Sequence, residues 1–404
     1  MAVEVRTGRT PEELREGIAP IFHFFGTSGP NEEAHARMLR VLEPERVHAA
    51  RENGVVVGGA AAFSFQLTVP GGRVPAAGVT VVGVLPTHRR RGILRALMRA
   101  QLDDVRGRGE PVAYLWASEA PIYGRFGYGI ASWAGEVEIR REHAGFAQQL
   151  EAYGVTRLVG VDEALELFPP IYEDVAREMP GMFARSREWW EARALADPEW
   201  RRAGGGEMAR VVLEVDGRPE AYALYRLHVS FARGSSTGKT SVIEALGRTP
   251  HGTAAIWRYL LDVDWMERLS AALLPPDHPL FLLVAEPRRL GFLLGDALWV
   301  RLVDVEAALA ARTYRPGEAV VLDVRDSFCA WNEGRYRVGG GVERTDADAD
   351  LALGVDALAS VYLGGFTFAQ LARALRVEEL RPGAVERADA LFRTDRAPWC
   401  PEIF

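Results

Sequence analysis

The stretch that decides the fold runs from Val79 to Gly129 and reads VTVVGVLP (79–86), THRRRGILRALMRAQLDDVRGRGE (87–110) and PVAYLWASEAPIYGRFGYG (111–129). The first piece is a β-branched strand that stops at Pro86, which has no backbone donor for a sheet ladder. The second piece carries apolar residues at helical spacing, and the third begins as another strand. The order strand, basic loop, helix and strand is typical of an α/β fold.

The basic loop His88–Arg91 ends at Gly92, directly before the predicted helix. The first N–H groups of a helix have no partner within the helix, and a glycine lets a phosphate approach the backbone closely. With three arginines before it, this helix start is predicted to bind an anion. The alternative interpretation is a solvated basic turn, because arginine is abundant throughout the chain.

Length and composition indicate a globular protein with several domains. A chain of 404 residues exceeds one ordinary core, so we expect two or three domains. The net charge of −7 argues against nucleic acid and favours a cationic substrate. Two cysteines provide neither a disulfide scaffold nor CxxC metal spacing, so we expect no metal. No signal peptide or membrane span is recognisable, so we expect a cytoplasmic protein without a membrane partner.

The N-terminal layout is repeated in the middle of the chain. Hairpin turns are predicted at Gly54 and Gly217, and the motif glycines Gly92 and Gly252 follow them by 38 and 35 residues. A duplicated fold is the favoured interpretation, and two unrelated α/β modules are the alternative. The second loop reads Thr-Pro-His-Gly and lacks the arginines, so we expect only one cofactor site.

The last part of the chain has a different organisation. We expect Leu280–Val284 to be a strand that closes the second layout. Beyond it, strands are grouped first, including one predicted at Ser327–Trp331, and helices follow, which indicates an α+β domain. The expected domains are residues 1–145, 146–292 and 293–404.

Three motifs together resemble the enhanced-intracellular-survival (Eis) family of GNAT N-acetyltransferases: PTHRRRGIL (86–94), ASEAPIYGRFGYG (117–129) and PEIF (401–404). The resemblance implies an α/β (α+β) protein with tandem GNAT-like domains, of which only the first binds cofactor, and a sterol-carrier-protein-like C-terminal domain. It implies an acyltransferase that moves the acetyl group of acetyl-CoA to a cationic amine, such as an aminoglycoside, a polyamine or a lysine-type amine. It also implies a homo-oligomer, namely a hexamer.

The same resemblance assigns roles to individual residues. Tyr123 is expected to be the proton donor, because a phenol with a pKa near ~10 is protonated at neutral pH. The C-terminal carboxylate of Phe404 is expected to be the proton acceptor, although its ordinary pKa is only about 3.5. The alternatives are a core tyrosine and a frayed terminus. The expected cofactor-binding residues are Val82, Gly83, Val84, Arg90, Arg91, Gly92, Ile93, Leu94, Arg95, Ser118 and Glu119.

The acceptor site is less clearly marked. The family resemblance implies an acceptor cleft lined by acids and aromatics near the first helix. Phe24 keeps an aromatic residue there, but the acidic residue expected nearby is missing, and Glu32 and Glu402 are candidates to compensate. Two other functions remain open at this point. One is an acyl-CoA-binding or lipid-binding protein without catalysis, and the other is a protein N-acetyltransferase.

Overall fold

The computed structural model describes residues 3–27 and 29–404, and the chain divides into two compact units. The first unit contains the residues up to Ser132, the segment Ala297–Asp395 and the last two residues. The second unit contains Trp133–Asp296 and Arg396–Glu402. Within the described ranges, no helix has the length and apolar character needed to cross a membrane.

The N-terminal part of the first unit is a sheet with helices packed against it. Its strands are β1 (Glu4–Thr7), β2 (Val47–Glu52), β3 (Val55–Val69), β4 (Gly72–Val84), β5 (Val112–Trp116) and β6 (Gly129–Ile130). Its helices are α1 (Pro11–Phe22), α2 (Glu32–Leu39), α3 (Ile93–Gly107) and α4 (Ala120–Tyr123). The predicted hairpin between β2 and β3 is confirmed, and positive φ angles of 51° and 82° at Asn53 and Gly54 form its turn.

The second unit is built around another sheet. Its strands are β7 (Trp133–Arg140), β8 (Val155–Leu158), β9 (Ala209–Val215), β10 (Arg218–His228), β11 (Phe231–Ala232), β12 (Ser235–Ser236), β13 (Gly238–Gly247), β14 (Met266–Leu274) and β15 (Leu293–Asp296). Its helices are α5 (Val161–Ala176), α6 (Arg187–Trp189), α7 (Pro250–Leu261) and α8 (Leu280–Leu283). The predicted strand at Leu280–Val284 is therefore wrong. Pro279 precedes a short helix there, and His278 Nδ1 accepts the Leu280 amide at 3.2 Å.

The remainder of the first unit follows. Its strands are β16 (Leu298–Leu302), β17 (Val320–Arg325), β18 (Gly334–Val338), β19 (Val342–Arg344), β20 (Leu351–Gly354) and β21 (Val377–Glu379), and its helices are α9 (Val305–Ala311), α10 (Val355–Tyr362), α11 (Phe368–Arg373) and α12 (Ala384–Phe392). The predicted strand at Ser327–Trp331 is wrong. Asp326 Oδ1 accepts the amides of Phe328 and Cys329 at 3.2 and 2.9 Å, which curls the chain into a turn.

The two large sheets share one plan. The first has the order β1-β2-β3-β4-β5-β16-β6, and the second has the order β8-β9-β10-β13-β14-β7-β15. In each sheet four antiparallel strands are followed by one parallel step and then by two antiparallel strands. A third sheet, β19-β18-β17-β20-β21, belongs to the C-terminal part. The prediction of a duplicated layout followed by an α+β region is confirmed.

Candidate functional site

Strands β4 and β5 separate before either of them ends. They pair only from Ala76–Val112 to Gly78–Tyr114, and β4 then continues through an irregularity at Val81, whose φ is +46°. A positive φ at a β-branched residue is unusual and marks a bulge in the strand. Beyond the bulge, Gly83 and Val84 pair with β3, and none of the predicted cofactor residues Val82–Val84 pairs with β5. Their backbone groups on the β5 side can therefore bind a ligand.

The basic loop after β4 is held by contacts that the sequence did not reveal. His88 Nε2 lies 3.2 Å from a carboxylate oxygen of Glu52, and Arg91 forms an ion pair with the same carboxylate. The hydrogen bond from Arg91 holds the pKa of Glu52 below its ordinary value. The Arg89 guanidinium lies over the Phe24 ring at 4.8 Å. Arg90 has no ion pair or hydrogen bond among the described residues, so its charge remains available.

Helix α3 begins without a side-chain cap. Gly92 precedes it with a φ of +80°, and the position that a Cβ would occupy is open. The first amides of the helix, including those of Ile93, Leu94 and Arg95, therefore remain donors for an anion. The corresponding helix of the second unit differs, because the Thr249 hydroxyl accepts the Gly252 amide at 3.1 Å. This difference supports the prediction of a single cofactor site.

Tyr123 is the last residue of α4. The exposed residues Ser118 and Glu119 lie between the end of β5 and the start of this helix. The tyrosine is 6% exposed. Burial, with a smaller contribution from the Glu119 charge, raises the pKa of Tyr123 to about 12. Its ring meets the Tyr128 ring at 5.8 Å, and Tyr128 is fully buried. Tyr123 therefore keeps its proton throughout the neutral range.

Phe404 is docked rather than frayed. Its ring is 7% exposed and meets the rings of Phe65 and Tyr114 edge to face, at 5.3 and 4.8 Å. The Thr80 hydroxyl donates a hydrogen bond to the main-chain oxygen of Phe404 at 3.3 Å. Gly78 is required beside these rings, because a Cβ there would lie 2.2 Å from the Phe65 ring. The last residue therefore lies where β4 and β5 separate.

The sequence did not identify the residues that hold this terminus. Phe65 and Tyr114 read as ordinary strand residues, and Thr80 stands in a run of β-branched residues without any distinguishing motif. Their role depends on a contact with a residue more than 280 positions away in the chain. No local pattern could have revealed such a contact.

The predicted acceptor residues are placed in different surroundings. Phe24 is 40% exposed beside Arg89, and Glu32 forms an ion pair with Arg15. Glu402 belongs to the second unit, where it accepts the indole N–H of Trp189 at 2.9 Å and pairs with a buried arginine at 2.9 Å. Both carboxylates therefore already have cationic partners. Among the described residues, no cluster of three or more His, Cys, Asp or Glu side chains could hold a metal ion.

Comparisons with known proteins cover most of the chain. Residues 9–131 match the model of an acetyltransferase (GNAT) domain family, residues 181–302 match another acetyltransferase (GNAT) domain family, and residues 305–401 match a sterol carrier protein domain family. An uncharacterized N-acetyltransferase of Streptomyces avermitilis is 40% identical over 94% of each chain. N-acetyltransferase Eis of Mycobacterium tuberculosis is 37% identical over 84% of each chain. The crystal structure of Eis1 from Mycobacterium abscessus matches with a TM-score of 0.87 and 36% identity, and covers 99% of this chain and 100% of that one.

Proposed function

Because the chain belongs to the Eis family of GNAT N-acetyltransferases, we propose that it transfers the acetyl group of acetyl-CoA to an amine of a cationic small molecule. The observation that carries this proposal lies within the first unit. The uncapped start of α3, the open edge of β4, the buried Tyr123 and the docked Phe404 all belong to that unit. In this proposal they would supply an anion site, a channel for the amide-bearing pantetheine, an acid and a base.

The cofactor would be held mainly by backbone groups. The amides of Arg90–Arg95 would bind the pyrophosphate of acetyl-CoA, with the charge of Arg90 added to them. The open edge at Val82–Val84 would pair with the pantetheine amides, as an added strand pairs with a sheet edge. Ser118 and Glu119 lie at the end of the neighbouring strand and would line the same channel.

Tyr123 would act as the general acid. The amine nitrogen attacks the thioester carbonyl carbon, the carbon–sulfur bond breaks, and the leaving thiolate takes a proton from the Tyr123 hydroxyl. Burial keeps this hydroxyl protonated, because it raises the pKa of Tyr123 to about 12. A phenol in this state always has a proton to give at neutral pH.

The terminal carboxylate of Phe404 would act as the general base. It would take the proton that the acceptor amine loses, either directly or through one water molecule. A carboxylate with a pKa of about 3.5 is a weak base in water, so its effect depends on fixed position more than on basicity. Its fixed position comes from the Phe65 and Tyr114 rings and the Thr80 hydroxyl.

The acceptor class and the assembly are also parts of the proposal. Aminoglycosides, polyamines and lysine-type amines are all cationic, and the net charge of −7 favours each of them over anions. Phe24 at the rim of the basic loop would contact the acceptor, whereas Glu32 and Glu402 pair with arginines and are not assigned to it. We further propose a homohexamer, on family resemblance, which light scattering after size-exclusion chromatography tests directly.

The test is thiol release from acetyl-CoA with a polyamine, an aminoglycoside and a lysine peptide in parallel. We expect turnover with the polyamine or the aminoglycoside and a loss of about 10²- to 10⁴-fold in Tyr123→Phe and on deletion of Phe404. The matched control is Tyr153→Phe, a partly exposed tyrosine of the second unit, which leaves turnover unchanged.

Three outcomes would contradict the proposal. Unchanged turnover in both variants excludes the proposed acid and base. No turnover with any amine, together with tight acyl-CoA binding, favours a binding protein without catalysis. Turnover confined to the peptide favours a protein N-acetyltransferase.

A further inference from the structure

Arg95 lies on the first turn of α3 and is stacked on an aromatic ring from the C-terminal part of the same unit. Its guanidinium lies 5.0 Å from the centre of the Phe328 ring. No carboxylate, carbonyl or other acceptor among the described residues pairs with it. Arg95 thus presents an uncompensated positive charge next to the predicted anion site.

The two arginines that flank Arg95 in the sequence, Arg91 and Arg99, already have partners. Arg91 precedes the helix, and Arg99 lies one turn after Arg95 on α3. Arg91 pairs with Glu52, and Arg99 donates to the Phe328 carbonyl and lies 3.7 Å from an Asp103 oxygen. Of these three arginines, Arg95 has a stacking partner but no anionic partner among the described residues.

The ring beneath Arg95 is itself fixed. Phe328 is 4% exposed, its ring meets the Phe126 ring edge to face at 5.1 Å, and its amide donates to Asp326. The Arg99 guanidinium lies over the same ring at 4.1 Å. A guanidinium stacked on a fixed ring loses less side-chain freedom when it binds an anion. Phe328 therefore orients Arg95 in advance.

We propose that Arg95, positioned by Phe328, binds the 3′-phosphate of CoA. The inference rests on the proposed function, in which the amides of Arg90–Arg95 bind the pyrophosphate. CoA has a second anionic group on its ribose, and Arg95 is the next uncompensated cation along α3. Arginine suits this group because its planar fork donates two hydrogen bonds to one phosphate. The C-terminal part of the chain thereby contributes to cofactor selection through Phe328.

The test compares CoA with 3′-dephospho-CoA by isothermal titration calorimetry on the full chain, at one fixed ionic strength. The unaltered protein is expected to bind CoA about tenfold more tightly, which is the range of one charge-assisted hydrogen bond. Arg95→Gln is expected to lose about tenfold in affinity for CoA and nothing for 3′-dephospho-CoA. Phe328→Leu keeps the apolar volume and removes the π face, so a loss of about threefold, again for CoA alone, is expected.

A matched control lies on the same helix. The Arg106 guanidinium stacks on Trp331 at 4.6 Å, but Arg106 is eleven residues further along α3, about 16 Å from Arg95. Arg106→Gln should bind both ligands as the unaltered protein does. An equal loss for both ligands in Arg95→Gln, or no preference for CoA in the unaltered protein, overturns the inference and leaves the proposed function standing. Absence of CoA binding overturns the proposed function as well.

Discussion

Replacing Phe404 with alanine is expected to lower turnover by about 100-fold while the terminal carboxylate remains present. The ring is 7% exposed and meets Phe65 and Tyr114 at 5.3 and 4.8 Å. Burial of a phenylalanine side chain contributes about 1.5–3 kcal/mol, and each aromatic pair adds about 0.5–1.5 kcal/mol. A loss of about 3 kcal/mol shifts the docking equilibrium of the last residue about 100-fold toward the undocked state.

The assay is the initial rate of thiol release at saturating acetyl-CoA and amine. Phe404→Leu is the matched variant, because it keeps the carboxylate and most of the apolar area, and its turnover should stay within about threefold of normal. The urea midpoint should fall further in Phe404→Ala than in Phe404→Leu, because docking of the ring contributes to the folded state, so the rates are compared without urea, where both variants are folded. Turnover of Phe404→Ala equal to that of the unaltered protein would refute the reasoning that the ring places the base.

Three further predictions concern stability and cofactor binding. Burial lowers the pKa of His278 to about 3, whereas the ordinary pKa of a histidine is about 6.5. Below pH 6.5 this histidine therefore takes up a proton in the unfolded chain but not in the folded one. The contribution of neutral His278 to the free energy of unfolding is complete above pH 6.5 and falls by about 2 kcal/mol between pH 7.5 and 5. Urea titrations at these pH values should show that His278→Asn removes the pH dependence. Asp326→Ala leaves the fully buried Arg301 without its carboxylate, so the free energy of unfolding should fall by about 3–5 kcal/mol, and a loss below 1 kcal/mol in urea melts would contradict this. Gly92→Ala adds a methyl group at a φ of +80° beside the proposed pyrophosphate, so steady-state kinetics should show about a tenfold higher KM for acetyl-CoA, and an unchanged KM would show that no ligand approaches there.

The local parts of the fold and site were predictable from the sequence. A few neighbouring residues are enough to recognise a β-branched run that ends at Pro86, a glycine before a helix, or an Asn-Gly hairpin. The structure has each of these features at the predicted position. Short-range steric and hydrogen-bonding preferences determine such features, so a single sequence contains them.

The parts that depend on distant contacts could not be predicted. Met266–Leu274 becomes a strand because it adds in parallel to β13, whereas the more apolar Leu280–Val284 becomes a helical turn. Arg91 looked like a free phosphate ligand, but Glu52 compensates its charge from 39 positions earlier in the chain. The ring of Phe328 under Arg95 comes from more than 230 positions away. Tertiary packing, rather than local preference, decides each of these cases.

In the proposed mechanism, the terminal carboxylate of Phe404 lies beside the thioester of a cofactor held at the start of α3. A crystal structure with a non-hydrolysable acetyl-CoA analogue measures this directly. We expect the pyrophosphate to bind the amides that follow Arg90 and the Tyr123 hydroxyl to lie within about 3 Å of the thioester sulfur. The Phe404 carboxylate should face the side of the carbonyl from which the amine attacks, at a distance that no more than one water molecule bridges. A pyrophosphate bound elsewhere, or a Phe404 carboxylate facing bulk solvent with the cofactor in place, would contradict the account.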